Sequence, residues 1–371
     1  MELMKRRRFA PILFTLAVLL PLGSSARHLD SGEARDAGSH CSRAEHREFD
    51  FWVGEWEVHN RQANPAIPDD TTLYDTGTAT AEVHPILDGC GIVEHWGGRL
   101  VPDRHVLGFS LRAWNPDTER WHVLLNWPGP GAPTFFEIDG TFDGDVGDFV
   151  FRGRGGFVRY RFTGTRGGEP RWEGARADER DGPWTPFWVM RFTPREEPGG
   201  GILPHGRSRT TDRCPDDAFR GYDFLIGDWT GEEVSYDGEG EVERTHPISI
   251  RSWSILEGCA IVDHVVAGGA EREETGETKR FFVRSFEPAE DGWVQYSLSR
   301  DELRLVRWEG DAPGEGAAAL VRAVDEDSGT DGPIRRMTWR RDGDRLIRET
   351  AVSPDGGESW TTSARAEMRR E

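Results

Sequence analysis

Two acid–histidine pairs are the first residues in the chain that could do chemistry, Glu94-His95 and Asp263-His264. They sit in matching surroundings, after Ile92-Val93 and Ile261-Val262. Such β-branched runs form strands, and adjacent strand residues point to opposite faces. One member of each pair therefore faces inward and the other outward, which excludes a contacting acid–base dyad. An inward His95 could hydrogen-bond a ligand or exchange a proton near neutral pH. An inward Glu94 would need an arginine or a hydroxyl, or its pKa would rise. The plainer reading of both is a satisfied lining residue.

Arginines and tryptophans are the other candidates. Arg152, Arg154, Arg159 and Arg161 lie at spacing two on consecutive strand-like runs, so each pair shares a face. An inward Arg159 and Arg161 would favour an anionic ligand; an outward pair is a solvated face. Nine of the 15 tryptophans fall before residue 190, Trp96 and Trp114 among them. Aromatic side chains fill a core and also line apolar pockets. Their excess in that part of the chain favours a cavity there.

No catalytic residue emerges. There is no Gly-x-Ser-x-Gly elbow, phosphate loop or His-Glu-x-x-His. The Cys and His spacings match no zinc pattern, and neither metal nor cofactor is predicted. The formal net charge of −20 repels phosphate backbones and anionic membranes. Nucleic acid is thereby excluded as a partner, and a small molecule is the expected one. Oligomeric state is left open.

The elements that must position these residues occur twice. Phe49-Asp50-Phe51-Trp52-Val53-Gly54-Glu55-Trp56 reappears as Tyr222-Asp223-Phe224-Leu225-Ile226-Gly227-Asp228-Trp229, an offset of 173. Ile86-Leu87-Asp88-Gly89-Cys90 reappears as Ile255-Leu256-Glu257-Gly258-Cys259, an offset of 169. Asn115-Pro116 with Trp121 matches Glu287-Pro288 with Trp293, and Trp184-Thr185 matches Trp360-Thr361. Four blocks in one order mean duplication. Between the copies, residues 197–212 are rich in Gly, Pro and charge and read as a linker. The domains are then 41–196 and 213–371.

Residues 1–26 read as a secretory signal peptide. Lys5 to Arg8 form a basic start, Ala10 to Leu22 an apolar core, and Ser24 and Ala26 a small-residue cleavage pattern. Arg6-Arg7 also loosely fits a twin-arginine signal. A periplasmic or secreted protein is expected, off the membrane once the signal is cleaved. In such an oxidising compartment the four cysteines would pair. Of the three pairings four cysteines allow, only Cys41–Cys90 with Cys214–Cys259 keeps the copies independent. A metal site is the rival reading.

Within the first copy, β-rich runs fall near 52–60, 76–86, 91–97, 105–114, 120–127, 134–142, 147–155, 157–165, 170–179 and 186–194. Turn residues such as Asp139-Gly140 and Gly167-Gly168 separate them. The second copy gives a similar count. About ten short strands in up-and-down order favour closure, since an open sheet of that length leaves two edges. The expected fold is all-β: two tandem closed barrels, each preceded by a short helical turn, at 42–48 and 215–220.

Phe49-Asp50-Phe51-x-x-Gly54-x-Trp56 resembles the opening of the calycin superfamily, where a Gly-x-Trp on the first strand follows a short helix and the Trp packs across the barrel floor. With the Ile-Leu-x-Gly-Cys, Asn-Pro and Trp-Thr blocks, each copy is similar to a family of secreted bacterial lipocalin-like domains. The resemblance covers nearly all of 41–195 and 214–370. It implies structural roles for Phe49, Asp50, Gly54 and Trp56, and for Tyr222, Asp223, Gly227 and Trp229. Copy two departs from the pattern at Tyr222 and Glu287-Pro288. Related haem-binding barrels carry a ligating His near the C-terminus; neither domain has a His after Trp184 or Trp360, which speaks against haem held that way. The function expected is binding of a small apolar or amphipathic molecule in at least copy one. The alternatives are an interaction module with filled barrels, and a barrel-mouth isomerase or hydrolase using His95.

Overall fold

The structure, a computed structural model, describes residues 41–67, 70–100, 104–126, 133–153, 155–195, 214, 217–268, 278–310, 317–323 and 333–371. The expected signal peptide and the linker 197–212 lie outside the described residues, as do Trp127 and Arg154.

Each copy is a closed antiparallel barrel of ten strands in up-and-down order. Barrel 1 is built from β1 (Gly54–Ala63), β2 (Leu73–Ile86), β3 (Gly91–Leu100), β4 (Arg104–Asn115), β5 (Arg120–Asn126), β6 (Phe135–Asp143), β7 (Val146–Gly153), β8 (Gly156–Thr163), β9 (Arg171–Ala177) and β10 (Thr185–Pro194). Barrel 2 follows with β11 (Gly227–Tyr236), β12 (Val242–Ile255), β13 (Ala260–Ala267), β14 (Thr278–Glu287), β15 (Gly292–Ser299), β16 (Leu305–Gly310), β17 (Ala317–Ala323), β18 (Ile334–Asp342), β19 (Arg345–Ser353) and β20 (Thr361–Arg370). Closure is made by the first strand pairing with the last, β1 with β10 and β11 with β20. Ten strands thus leave no free sheet edge.

The repeated motifs become local structure. The entry to each barrel is a pair of short 3-10 turns, Ala44–Arg47 and Asp50–Trp52 in barrel 1, Asp217–Arg220 and Asp223–Leu225 in barrel 2. Gly54 and Gly227 follow at φ 137° and 142°, which a side chain would strain. Trp56 and Trp229 then fold back, and each indole N–H donates to the backbone oxygen four residues earlier, Trp52 O and Leu225 O. Asp50 pairs with Arg47, and Asp223 lies 3.9 Å from Arg220. Phe49 and Tyr222 are the buried floor, each 4.7 Å by ring centroid from the Trp of the fifth strand, Trp121 or Trp293.

The second block is a tight turn in both copies, with Leu87-Asp88-Gly89 and Leu256-Glu257-Gly258 all at positive φ. It delivers the next residue to the entry segment, where Cys41 bonds Cys90 and Cys214 bonds Cys259. These are the two intra-copy bridges the duplication implied, and among the described residues no cysteine is free.

The two barrels pack side against side. The Leu87–Gly89 turn rests on β14, and the Leu256–Gly258 turn rests on β4. A continuous apolar cluster runs from Val93, Phe109, Leu111 and Leu124 of barrel 1 into Val262, Phe281, Val283 and Leu298 of barrel 2. At the rim of this seam Asp88 takes Lys279 at 2.5 Å and Arg300 at 2.7 Å.

Candidate functional site

Alternation along the strands decides what each barrel holds inside. Along β1, Trp56, Val58, Asn60 and Gln62 are buried, while Glu57 and Arg61 face solvent. On β3 the inward residues are Glu94 and Trp96, both lining a cavity in barrel 1. Ser110 and Arg112 from β4 meet Glu94 there. The Ser110 hydroxyl donates to Glu94 Oε2 at 2.8 Å, and Arg112 Nη2 donates to the same oxygen at 3.3 Å. Burial pushes the Glu94 carboxyl up, opposed by Arg112 and Ser110. Burial lowers Arg112 to about 10, opposed by Glu94. Arg112 lies over aromatic faces, 4.1 Å from the Trp52 ring centre and 5.1 Å from Phe49.

The cavity measures about 80 Å³. A water takes about 10–15 Å³ on this scale, so the space holds several waters or a small organic molecule. Its walls are Trp52, Trp96, Val123, Ile138, Phe149, Tyr160, Phe162, Trp172, Trp188 and Met190. Trp188 is fixed by donating its indole N–H to Asn60 Oδ1 at 3.0 Å. The indole N–H groups of Trp52 and Trp96, and Arg112 Nη1, have no hydrogen-bond partner among the described residues. The site is thus an apolar aromatic chamber with Glu94, Ser110 and Arg112 as its charged and hydroxyl lining.

The remaining candidates lie elsewhere. His95 points away from the lumen into the edge of the seam, 5.2 Å edge-on from Phe109. Burial drives its pKa down to about 3, with His84 adding to the effect, so the ring is neutral. A general base in the barrel mouth must face the lumen, and His95 does not. Arg159 and Arg161 face outward, because Tyr160 and Phe162 between and beyond them take the inner positions. Arg159 bonds Glu173 and lies over Trp184; Arg161 bonds Asp148 with two hydrogen bonds. Trp114 is buried but does not line the chamber; it lies edge-on to His46 at 4.9 Å.

Barrel 2 repeats the arrangement with a tighter ion pair. Asp263 stands where Glu94 does, and Arg284 where Arg112 does; their side chains meet at 2.5 Å with no exposure to solvent. Ser252 donates to Asp263 Oδ1 at 2.7 Å, and Arg284 Nε donates to Gln295 Oε1 at 2.5 Å. Phe282 takes the place of Ser110, and Trp339 packs with Arg284 at 5.0 Å. His264, like His95, faces outward, and burial lowers its pKa. Higher in the barrel, Glu233 takes both Arg348 and His246, the latter at 3.2 Å.

Sequence reasoning missed Arg112 and Arg284. The signal was available: each stands three residues before the repeated Asn115-Pro116 or Glu287-Pro288 turn. Among the described residues no cluster of His, Cys, Asp and Glu is placed to hold a metal. No described helix is long and apolar enough to cross a membrane.

Fold and site together define a tandem closed-barrel protein with a chamber in the first barrel and a buried ion pair at the matching place in the second. No family model matches the chain, and no curated protein matches it. Among solved structures it is similar to a protein of unknown function from the DUF3598 family of Nostoc punctiforme. Identity there is 14%, covering 89% of this chain and 100% of that one, with a TM-score of 0.28. It is also similar to Rv2717c from M. tuberculosis, at 11% identity over 42% of this chain and 98% of that one, with a TM-score of 0.31.

Proposed function

We propose that this is an exported lipocalin-like tandem protein whose first barrel binds a small apolar or amphipathic molecule. The observation that carries the reading is the barrel 1 chamber, aromatic on its walls with Glu94, Ser110 and Arg112 among them. Small-molecule sites are commonly apolar hollows with a few placed polar groups. Export is supported by the two disulfides, which belong to an oxidising compartment, and by the basic-then-apolar N-terminal segment. The charge of −20 speaks for a soluble role away from nucleic acid.

For barrel 2 a different role is favoured by its wholly buried Asp263–Arg284 pair. An acid and an arginine that satisfy each other, with neither open to solvent, suit a structural partner that covers the outer face of barrel 1.

Native mass spectrometry of the oxidised full-length protein tests the binding reading. The control is V83S/S110F, which transplants the hydroxyl and the Phe that barrel 2 carries at Ser252 and Phe282. Wild type should retain an adduct that the variant loses. A folded wild type with no adduct, or an adduct equally present in the variant, refutes the reading.

A further inference from the structure

We infer that the barrel 1 chamber takes an uncharged molecule with a compact aromatic body and a carbonyl oxygen, and that this oxygen accepts a hydrogen bond from Arg112. The inference rests on barrel 1 being a binding barrel and specifies what it binds.

The two barrels supply an internal comparison. Arg112 and Arg284 occupy the same place: each is on the fourth strand, pairs with the acid of the third, and lies over the floor aromatic, Phe49 or Tyr222. The residue directly across on the fifth strand differs. For Arg284 it is Gln295, whose amide oxygen accepts from the guanidinium Nε. For Arg112 it is Val123, which offers no acceptor. Val123 is also a wall of the chamber. The oxygen that barrel 2 supplies from its own chain is therefore missing in barrel 1, at a point where there is open space. Arg112 bonds Glu94 through Nη2, and its Nε, the atom that Gln295 takes in barrel 2, faces Val123 instead, on a side chain only 8% exposed. A buried donor without an acceptor is costly, and an entering oxygen relieves that cost.

Charge selects the kind of oxygen. Glu94 already balances Arg112, so a carboxylate would bring an uncompensated negative charge into a buried site. An amide or ketone oxygen, of the type Gln295 presents, brings none. The aromatic walls suit a flat ring, and the cavity volume limits the body to roughly one or two rings.

Three probes of similar size separate the chemistry: acetophenone with a carbonyl, ethylbenzene without one, and benzoate with a charge. Binding to the oxidised full-length protein is followed by tryptophan fluorescence. Acetophenone should bind about tenfold or more tighter than ethylbenzene, the range of one hydrogen bond to a charged group, and benzoate should bind most weakly. V123Q supplies the missing oxygen from within and should abolish acetophenone binding while unfolding no more easily than wild type. Equal affinity for acetophenone and ethylbenzene overturns the carbonyl assignment while leaving a binding barrel in place. Tightest binding of benzoate overturns the uncharged assignment. Undiminished acetophenone binding by folded V123Q removes Arg112 from the site. Failure of all three probes overturns the inference, and the adduct experiment above then judges the binding reading separately.

Discussion

Arg284 and Asp263 meet at 2.5 Å in the interior of barrel 2, neither open to solvent. Tyr222, Phe282 and Trp339 surround the guanidinium. A buried ion pair gains little over a well-packed apolar pair, but removing one partner strands a charge in a low-dielectric interior. D263N should therefore destabilise barrel 2 by about 3–5 kcal/mol. The double substitution D263L/R284M should recover most of that loss. Denaturant unfolding of both variants is the measurement. A single variant as stable as wild type would mean the pair is solvated in solution.

The two disulfides close loops of 49 and 45 residues. On the chain-entropy account, loops of that size contribute about 4 kcal/mol each by restricting the unfolded chain. C41S/C90S and C214S/C259S should each lower the unfolding free energy of their own barrel by about that amount. Peptide mapping without reductant should recover only Cys41–Cys90 and Cys214–Cys259; a Cys41–Cys214 peptide would contradict the arrangement.

Ten of the strands in barrel 1 are legible because Gly and Asp-Gly turns punctuate runs of alternating or β-branched residues, and copying the pattern once more yields barrel 2. The lumen is harder to read. Ile92 and Val93 are both buried, Ile92 toward the barrel interior and Val93 toward barrel 2. A strand buried on both faces shows no polar–apolar alternation, so sequence alone leaves open which of Glu94 and His95 faces inward. The same loss hides Arg112, flanked by Leu111 in the seam and Ala113, both fully buried. Trp96 was recognisable as a candidate wall, since copy one is rich in tryptophan where copy two carries Val265 at the equivalent place.

His95 gives the protein a predictable response to acid. Its pKa is about 3 in the folded chain, because burial disfavours the imidazolium, against an ordinary value of 6.5. Between these values the unfolded chain binds a proton at this position and the folded chain does not. Stability is therefore complete above about pH 6.5 and falls as the pH drops toward 3, by up to about 1.4 kcal/mol per pH unit. H95F should flatten that part of the profile. Unfolding free energies at pH 7, 6, 5 and 4 for both proteins provide the check; parallel profiles would show that His95 is solvated in solution.

The seam between the barrels is held mainly by apolar contact, and the charges at its rim contribute less. Leu111 has no exposure and Val283 is nearly as buried. Asp88, with its carboxylate about a third exposed, meets Lys279 and Arg300 at the edge. Exposed ion pairs contribute about 0–1 kcal/mol, whereas a buried leucine contributes about 1.5–3 kcal/mol through the area it removes from water. D88N should leave the barrels docked, since Asn tolerates the positive φ of this position. L111D places a charge in the seam and should separate the barrels while each keeps its own closed sheet, because every strand pairs within its own barrel. Small-angle scattering would then report an increased radius of gyration for L111D and none for D88N, with far-ultraviolet circular dichroism unchanged in both. Loss of the β signal in L111D would instead mean that the barrels fold only as a docked pair.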